Sequence, residues 1–86
     1  MYKVLLHKKA IKYYKSLNDK TARKINKAIE KIRENPLEGF HIKKLKGSLE
    51  GKYRYKIEAL RIIYIVNLKE KNVFIEAIGP RGDVYK

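Results

Sequence analysis

The sequence predicts a small single domain of the α+β class over residues 1–86, with a helical hairpin packed on one face of a mainly antiparallel, twisted sheet. Three observations predict this fold. A short apolar segment at residues 2–6 opens the chain, apolar residues then recur at helical spacing as far as Pro36, and strand-like segments follow residue 52. The predicted order of elements is βααβββ. A chain of 86 residues can bury one modest core.

The two helices follow from local patterns. Residues 7–17 are predicted to form an amphipathic helix because their apolar residues recur at i, i+3, i+4 and i+7. Asn18 and Asp19 supply an N-cap for a second helix, which ends at Pro36 because proline cannot continue the hydrogen-bond ladder. The apolar stripe of this second helix contains Ala22, Ile25, Ala28, Ile29 and Ile32.

The second half of the chain is predicted to contain three strands, at residues 53–58, 60–67 and 72–78. Leu60–Val66 is apolar at nearly every position except Arg61, which is typical of a central strand buried on both faces. Residues 67–72 are predicted to form a polar hairpin turn. Residues 36–52 contain a proline and three glycines, so they are predicted to be an extended connection with turns.

Charge is the strongest global feature. The chain has 22 Lys and Arg against 9 Asp and Glu, a formal net charge of +13. Residues 1–43 contribute +8 (12 basic minus 4 acidic) and residues 44–86 contribute +5 (10 minus 5), so the excess spreads over the whole chain. Such a field favours nucleic acid, the ribosome, a membrane surface or an acidic protein as partner. Thermophile composition raises Lys and Glu together, whereas here Lys far exceeds Glu, which favours nucleic acid or the ribosome.

Composition also narrows the cofactors and the location. There is no cysteine, and His7 and His41 are too far apart in the chain to suggest a metal site, so neither a metal nor another cofactor is expected. No apolar run reaches the roughly 20 residues that span a bilayer, and the N-terminus has no signal-peptide pattern. The expectation is a cytoplasmic protein without a membrane partner.

Candidate functional residues concentrate in the last third of the chain. Alternation at period two places Arg54 and Lys56 on one strand face, with apolar residues on the other. Arg61 interrupts an apolar strand, and its burial is costly without a carboxylate or phosphate partner. Arg81 and Tyr85 follow the last strand. Because each helix is apolar on one side only, both are expected to cover the same sheet face and leave the cations on the opposite, open face. A basic cluster expected to contact RNA contains Lys43, Lys44 and Lys46.

Several segments, taken in order, resemble the RelE family of the RelE/ParE toxin superfamily. They are Lys44–Gly47, Tyr53–Ile57, Leu60–Tyr64 and Ile78–Tyr85, together with the Ala10–Leu17 helix and a helix ending at Asn35–Pro36. Each motif is short and tolerates substitution, but the order and spacing of the motifs are specific to the family. The resemblance covers essentially the whole chain. It implies a RelE-like fold, and the absence of glutamine and cysteine suits an archaeal or thermophilic source.

The resemblance implies the toxin of a type II toxin–antitoxin pair, a metal-independent, ribosome-dependent endoribonuclease that cleaves mRNA in the ribosomal A site. It also implies contacts with ribosomal RNA and an acidic, RelB-like antitoxin. The catalytic residues that it implies are Arg54, Lys56, Arg61, Arg81 and Tyr85. Arg54 departs from the family pattern, which has lysine there, and arginine can hold phosphate but is a poor base. The alternatives are a ParE-like toxin directed at DNA gyrase, a non-catalytic basic RNA-binding module, and a toxin that retains only antitoxin binding.

RNA can be cut by its own 2′-OH, which attacks the adjacent phosphate in line. The step needs a base for the 2′-OH, cations for the anionic phosphorane and an acid for the leaving 5′-oxygen. Neither histidine is well placed for this, so Lys56 is the candidate base, because neighbouring cations disfavour the protonated form of a lysine. Arg61 and Arg81 are expected to hold the phosphorane. Tyr85 is expected to orient the 2′-OH, to share the base role or to stack on a nucleobase.

Overall fold

The computed structural model describes residues 1–80, and its elements follow the predicted order with one addition. The two helices are α1 (Lys8–Lys15) and α2 (Asp19–Glu34). The strands are β1 (Lys3–Leu6), β2 (Ile42–Lys44), β3 (Lys52–Ile57), β4 (Leu60–Asn67) and β5 (Asn72–Pro80). A single 3₁₀ turn at Gly47–Leu49 lies between β2 and β3. No helix within the described residues is long and apolar enough to cross a membrane.

The strands form one sheet in the order β1-β5-β4-β3-β2. Strands β2 to β5 pair antiparallel, and β1 pairs parallel with β5. A mainly antiparallel sheet with a helical hairpin on one face confirms the predicted fold class. Strand β4 is central, as its apolar run predicts, and residues 61–64 are buried in succession.

Strand β2 is the element that the sequence prediction lacks. The sequence predicts only an extended connection over residues 36–52, whereas Ile42–Lys44 pairs with Tyr53–Tyr55 of β3. Two of the three residues in β2 are lysines, so the segment has no period-two apolar pattern from which to predict a strand. The pairing places Lys43 directly opposite Arg54.

Both helices begin where a side chain caps the first turn. His7 Nδ1 accepts a hydrogen bond from the backbone N–H of Lys9 at 3.0 Å, and Asn18 Oδ1 accepts one from Thr21 N–H at 2.8 Å. Helix α1 is shorter at its C-terminal end than the predicted span of residues 7–17. The N-cap of α2, Asn18, follows so closely that the chain must turn before residue 17, the predicted end of the first helix.

The core lies between the helices and one face of the sheet. Its buried side chains are Ala10, Ile25, Ala28, Ile32, Tyr55, Ile62, Tyr64, Val73, Ile75 and Ile78. Tyr64 brings a hydroxyl into this core, and that hydroxyl donates to the Pro36 carbonyl at 2.7 Å. The Tyr64 ring stacks on Tyr53 with centroids 5.7 Å apart. Burial, with a smaller contribution from the neighbouring tyrosines, raises the pKa of the Tyr64 hydroxyl, so it remains a hydrogen-bond donor.

Candidate functional site

Alternation divides the sheet between two environments. The aromatic and aliphatic residues of β3 pack against the core, so its basic residues project from the opposite side. The strand register places one further basic residue from β2 and one from β4 on that same side. We call this side the cationic face, and its basic residues on β2, β3 and β4 are Lys43, Lys52, Arg54, Lys56 and Arg61. The fold therefore brings together three of the five predicted catalytic residues.

Lys56 and Arg61 lie directly opposite each other on neighbouring strands. The backbone N–H of Lys56 donates away from Arg61, to the His41 carbonyl at 3.0 Å, so Lys56 and Arg61 form a cross-strand pair without mutual backbone hydrogen bonds. In such a pair the Cα atoms are about 4.5 Å apart and the side chains are close. Like charges directly opposite each other destabilise a sheet. An anionic ligand bound between these two side chains would offset the repulsion.

Arg61 is the buried charged residue of the described chain, with 6% of its surface exposed. One terminal nitrogen of its guanidinium donates to the carbonyls of Glu58 and Leu60, both at 3.2 Å. These carbonyls lie in and beside the two-residue connection Glu58–Ala59 between β3 and β4, where Glu58 has a φ of 52°. Backbone oxygens thus hold the guanidinium in place without neutralising its charge.

Arg54 occupies a second position that suits an anion. It lies directly opposite Lys43 on β2 and Ile63 on β4. Its Nε is buried and has no hydrogen-bond partner among residues 1–80. A buried N–H group without an acceptor costs free energy, and a phosphate oxygen would supply the acceptor.

The carboxylates near this face have other partners. Glu76 of β5 forms an ion pair with Lys52 at 2.8 Å and so neutralises that cation. The other two ion pairs within residues 1–80 are Lys24–Glu58 and Arg33–Glu30. None of these ion pairs includes a predicted catalytic cation, so the charge at those positions is not neutralised by a carboxylate of the described chain.

Glu58 fastens the β3–β4 turn to helix α2. The Nζ of Lys24 lies 2.9 and 2.8 Å from the two carboxylate oxygens of Glu58. That hydrogen bond and the charge of Lys24, with a smaller contribution from Lys20, hold the pKa of Glu58 below its usual value. The backbone carbonyl of the same residue accepts from Arg61. Glu58 therefore links the helix to the buried guanidinium.

The remaining predicted residues are distributed differently. Lys43 lies on the cationic face, whereas alternation along β2 places Lys44 on the helix side of the sheet. Lys46 is exposed and precedes the 3₁₀ turn. The predicted RNA-contact cluster is thus divided between the two sides of the sheet edge. Arg81 and Tyr85 lie outside the described residues, so their positions stay predictions.

The sequence does not predict an aromatic feature that lies at the edge of the sheet, on the side that the helices cover. Phe40 is 98% exposed, and its ring packs edge-on against the His41 ring with centroids 5.1 Å apart. The His41 ring lies 5.3 Å from the ring of Tyr55. The signal in the sequence is one phenylalanine between Gly39 and a histidine in a largely polar connection. Among residues 1–80, no three His, Cys, Asp or Glu side chains converge where they could hold a metal ion.

A helical hairpin covers one side of this sheet, and the other side carries cations, of which Arg54, Lys56 and Arg61 have no carboxylate partner within residues 1–80. This arrangement defines a small α+β protein suited to binding polyanions. Residues 4–85 match the family described as the ParE toxin of type II toxin–antitoxin systems, parDE. A protein of Methanocaldococcus jannaschii that carries the name toxin RelE1 is 36% identical over 87 residues, which cover 99% of this chain and 96% of that protein. The chain therefore belongs to the RelE/ParE family and is a type II toxin.

Solved structures agree with this assignment. The archaeal RelE–RelB complex from Pyrococcus horikoshii contains a chain that is 32% identical, with a TM-score of 0.79 over 94% of this chain and 96% of that one. The RelBE toxin–antitoxin complex of Escherichia coli matches with a TM-score of 0.80 over 93% of this chain and 96% of that one. At 22% identity, this second match supports the fold alone.

Proposed function

We propose that this toxin is a metal-independent endoribonuclease that cleaves mRNA in the ribosomal A site and thereby inhibits translation. The observation that carries the proposal is the cross-strand pair of Lys56 and Arg61, two opposed cations of which one is buried. Neither forms an ion pair with a carboxylate of residues 1–80. An arrangement that costs stability without a ligand is typical of a site that stabilises a charged reacting group.

In the proposed reaction, Lys56 accepts the proton of the 2′-OH, and the 2′-oxygen attacks the adjacent phosphorus in line. Arg54 and Arg61 hold the phosphorane oxygens, for which the buried Arg54 Nε and the anchored guanidinium of Arg61 are suited. The P–O5′ bond then breaks, the 5′-oxygen takes up a proton with the assistance of Arg81, and the products are a 2′,3′-cyclic phosphate and a 5′-OH. Tyr85 orients the 2′-OH or shares the base role.

The proposal includes two kinds of partner. The first is mRNA on the ribosome, with contacts to ribosomal RNA. The second is an acidic, RelB-like antitoxin, because the similar structure from P. horikoshii is a RelE–RelB complex. A net charge of +13 attracts both kinds of partner through long-range electrostatics.

Primer extension on an mRNA translated in a cell extract tests the activity. We expect purified wild-type protein to cut the message within codons and Lys56→Ala and Arg81→Ala each to reduce cleavage by roughly 100-fold or more, the usual size of a general acid–base effect. Lys52→Ala is the matched control, because Lys52 lies on the same strand and face but is neutralised by Glu76. Unchanged cleavage by both test variants, with circular dichroism showing that they are folded, would exclude the proposed site.

A gyrase-directed toxin is the second candidate function, and the ParE description of the matching family favours it. A DNA gyrase supercoiling assay separates the two. Inhibition of supercoiling without mRNA cleavage would establish the ParE-like activity. A non-catalytic RNA-binding module would instead bind RNA with a steep dependence on salt, leave mRNA uncut and leave gyrase supercoiling uninhibited.

A further inference from the structure

The loop that joins α2 to β2 is held at several points. The side chain of Asn35 accepts hydrogen bonds from the two amides that follow Pro36, at 3.2 and 3.4 Å. The buried Tyr64 hydroxyl donates to the Pro36 carbonyl at 2.7 Å. A hydrogen bond of 3.1 Å from the Ile42 N–H to the Gly39 carbonyl then closes a turn that leads into β2. These bonds give the loop a defined conformation.

Phe40 and His41 are the two central residues of that turn. Phe40 is 98% exposed, so the faces of its ring are open to a ligand. Its ring lies edge-on to the His41 ring, and the His41 ring lies 5.3 Å from the Tyr55 ring between centroids. Tyr55 is buried in the core. The three rings therefore form a series of neighbouring rings, the aromatic ladder, that runs from the core to the exposed ring of Phe40.

Two adjoining cavities, of about 390 and 270 Å³, lie beside this ladder between α2 and the edge of β3. The residues that line both are Lys31, His41 and Tyr55. The smaller cavity also has three lysines from helix and sheet, Lys24, Lys27 and Lys56, against one carboxylate, that of Glu58, which pairs with Lys24. The larger one contains Phe40 and two carboxylates, Glu34 and Glu38. The smaller cavity thus suits phosphate, whereas the larger one disfavours phosphate and offers acceptors for the amino groups of bases.

We propose that Phe40 is a stacking platform for an unpaired base of an RNA strand whose phosphate lies at Lys56. This proposal rests on the proposed function and deepens it by assigning a base-binding subsite. His41 lies one strand from Lys56 and two strands from Arg61. At a strand spacing of about 4.8 Å, the His41 backbone is roughly 10 Å from the Arg61 backbone. A nucleotide of an RNA chain that passes around the edge of β3, where Lys56 lines the smaller cavity, covers this distance.

The charges around Phe40 favour RNA over an acidic peptide as the occupant. A polyacidic segment would gain from the lysines of the smaller cavity but would meet Glu34 and Glu38 around Phe40. A nucleotide suits both environments. Its anionic phosphate can lie at the lysines, and its neutral base carries hydrogen-bond donors that can face the carboxylates. Aromatic rings stack on any base, so the platform contributes affinity with little sequence preference.

A fluorescein-labelled 2′-O-methyl oligoribonucleotide tests the subsite, because without a 2′-OH it binds but cannot be cleaved. We expect Phe40→Ala to raise its Kd by roughly 5- to 20-fold in fluorescence anisotropy, in the range for loss of one stacked base. Phe40→Tyr retains the ring and should stay within about 2-fold of wild type, whereas Phe40→Leu should resemble the alanine variant. Leu68→Ala, on another exposed apolar side chain, is the control and should leave the Kd unchanged.

The salt dependence separates stacking from phosphate contact. Phe40→Ala should leave the slope of log Kd against log salt unchanged, whereas Lys27→Ala should reduce it by about one phosphate contact. Wild-type affinity in Phe40→Leu, or an unchanged RNA Kd in Phe40→Ala with weakened binding to the antitoxin, would overturn the subsite. These measurements do not require cleavage, so the subsite and the ribonuclease activity can fail independently.

Discussion

The two sides of the sheet are built from the same strands but satisfy their polar groups differently. On the covered side, β3 contributes two tyrosines, and the buried Tyr64 hydroxyl of β4 has its acceptor at 2.7 Å. On the cationic face, the same β3 contributes Arg54, whose buried Nε has no partner in the described chain, and Lys56, which opposes Arg61. Stability therefore comes from the covered side, and the cationic face reduces it.

This difference indicates where substitutions should harm folding and where they should harm activity. A core side chain loses burial and packing when it is shortened. A basic side chain on the cationic face that has no carboxylate partner within residues 1–80 loses mainly repulsion from its neighbours when it is removed, since like charges opposite each other are unfavourable. The two sides should thus respond in opposite directions to comparable truncations, and four predictions examine this contrast in order of decreasing effect.

Ile62→Ala should have the largest effect on stability. Ile62 is fully buried on the covered side of the central strand. Its truncation leaves a cavity, so the free energy of unfolding should fall by about 3 kcal/mol, measured by urea denaturation. A loss below about 1 kcal/mol, the cost of a mild core change, would show that the covered side is less tightly packed than its burial indicates.

Tyr64→Phe should cost about 1–2 kcal/mol, because it removes the hydroxyl that satisfies the Pro36 carbonyl. It should also change the pH dependence. Burial raises the pKa of Tyr64 above the usual value of 10, so its stabilising contribution is complete below pH 10 and is lost as the pH rises above that value. Between pH 8 and pH 11 the urea midpoint of the wild type should therefore fall more than that of Tyr64→Phe. An equal fall in both proteins would show that the Tyr64 hydroxyl does not contribute this pH dependence.

Lys56→Gln and Lys52→Gln should change stability in opposite directions, although both residues lie on one face of one strand. Removing Lys56 relieves its repulsion with Arg61 and should stabilise the protein by about 0.5 kcal/mol. Removing Lys52 breaks the ion pair with Glu76 and should destabilise it by about 0.5 kcal/mol. Both effects should shrink in 1 M NaCl, because salt screens exposed charges. If both variants changed the free energy of unfolding in the same direction at low salt, this prediction would be wrong.

Glu58→Gln should have the smallest effect on stability. The pKa of Glu58 is held below its usual value of 4.5 by Lys24, so the contribution of this carboxylate is present above pH 4.5 and is lost as the pH falls below it. Between pH 7 and pH 3 the urea midpoint of the variant should therefore fall less than that of the wild type. Glu30→Gln removes a similarly exposed ion pair away from the turn, so it serves as the control for loss of a surface carboxylate.

Local patterns predicted much of this arrangement. The period-two alternation of β3 placed Arg54 and Lys56 on one face, and the one-sided helices predicted that this face would lie opposite them. The partner of Arg61 was not predictable. A carboxylate or phosphate was expected, whereas two carbonyls at the β3–β4 turn accept its hydrogen bonds, and turn geometry is not encoded in an apolar pattern. Strand β2 was missed because a three-residue segment with two lysines has no such pattern.

The spacing of residues along the chain is enough to predict the fold class, the helix-facing stripe and the existence of a cationic strand face. Which charges meet depends on how the elements pack together. Lys24 and Glu58 are 34 positions apart, and the opposition of Lys56 and Arg61 depends on the length of the turn between their strands. Such contacts depend on register and on packing between elements, and these are set when the chain folds.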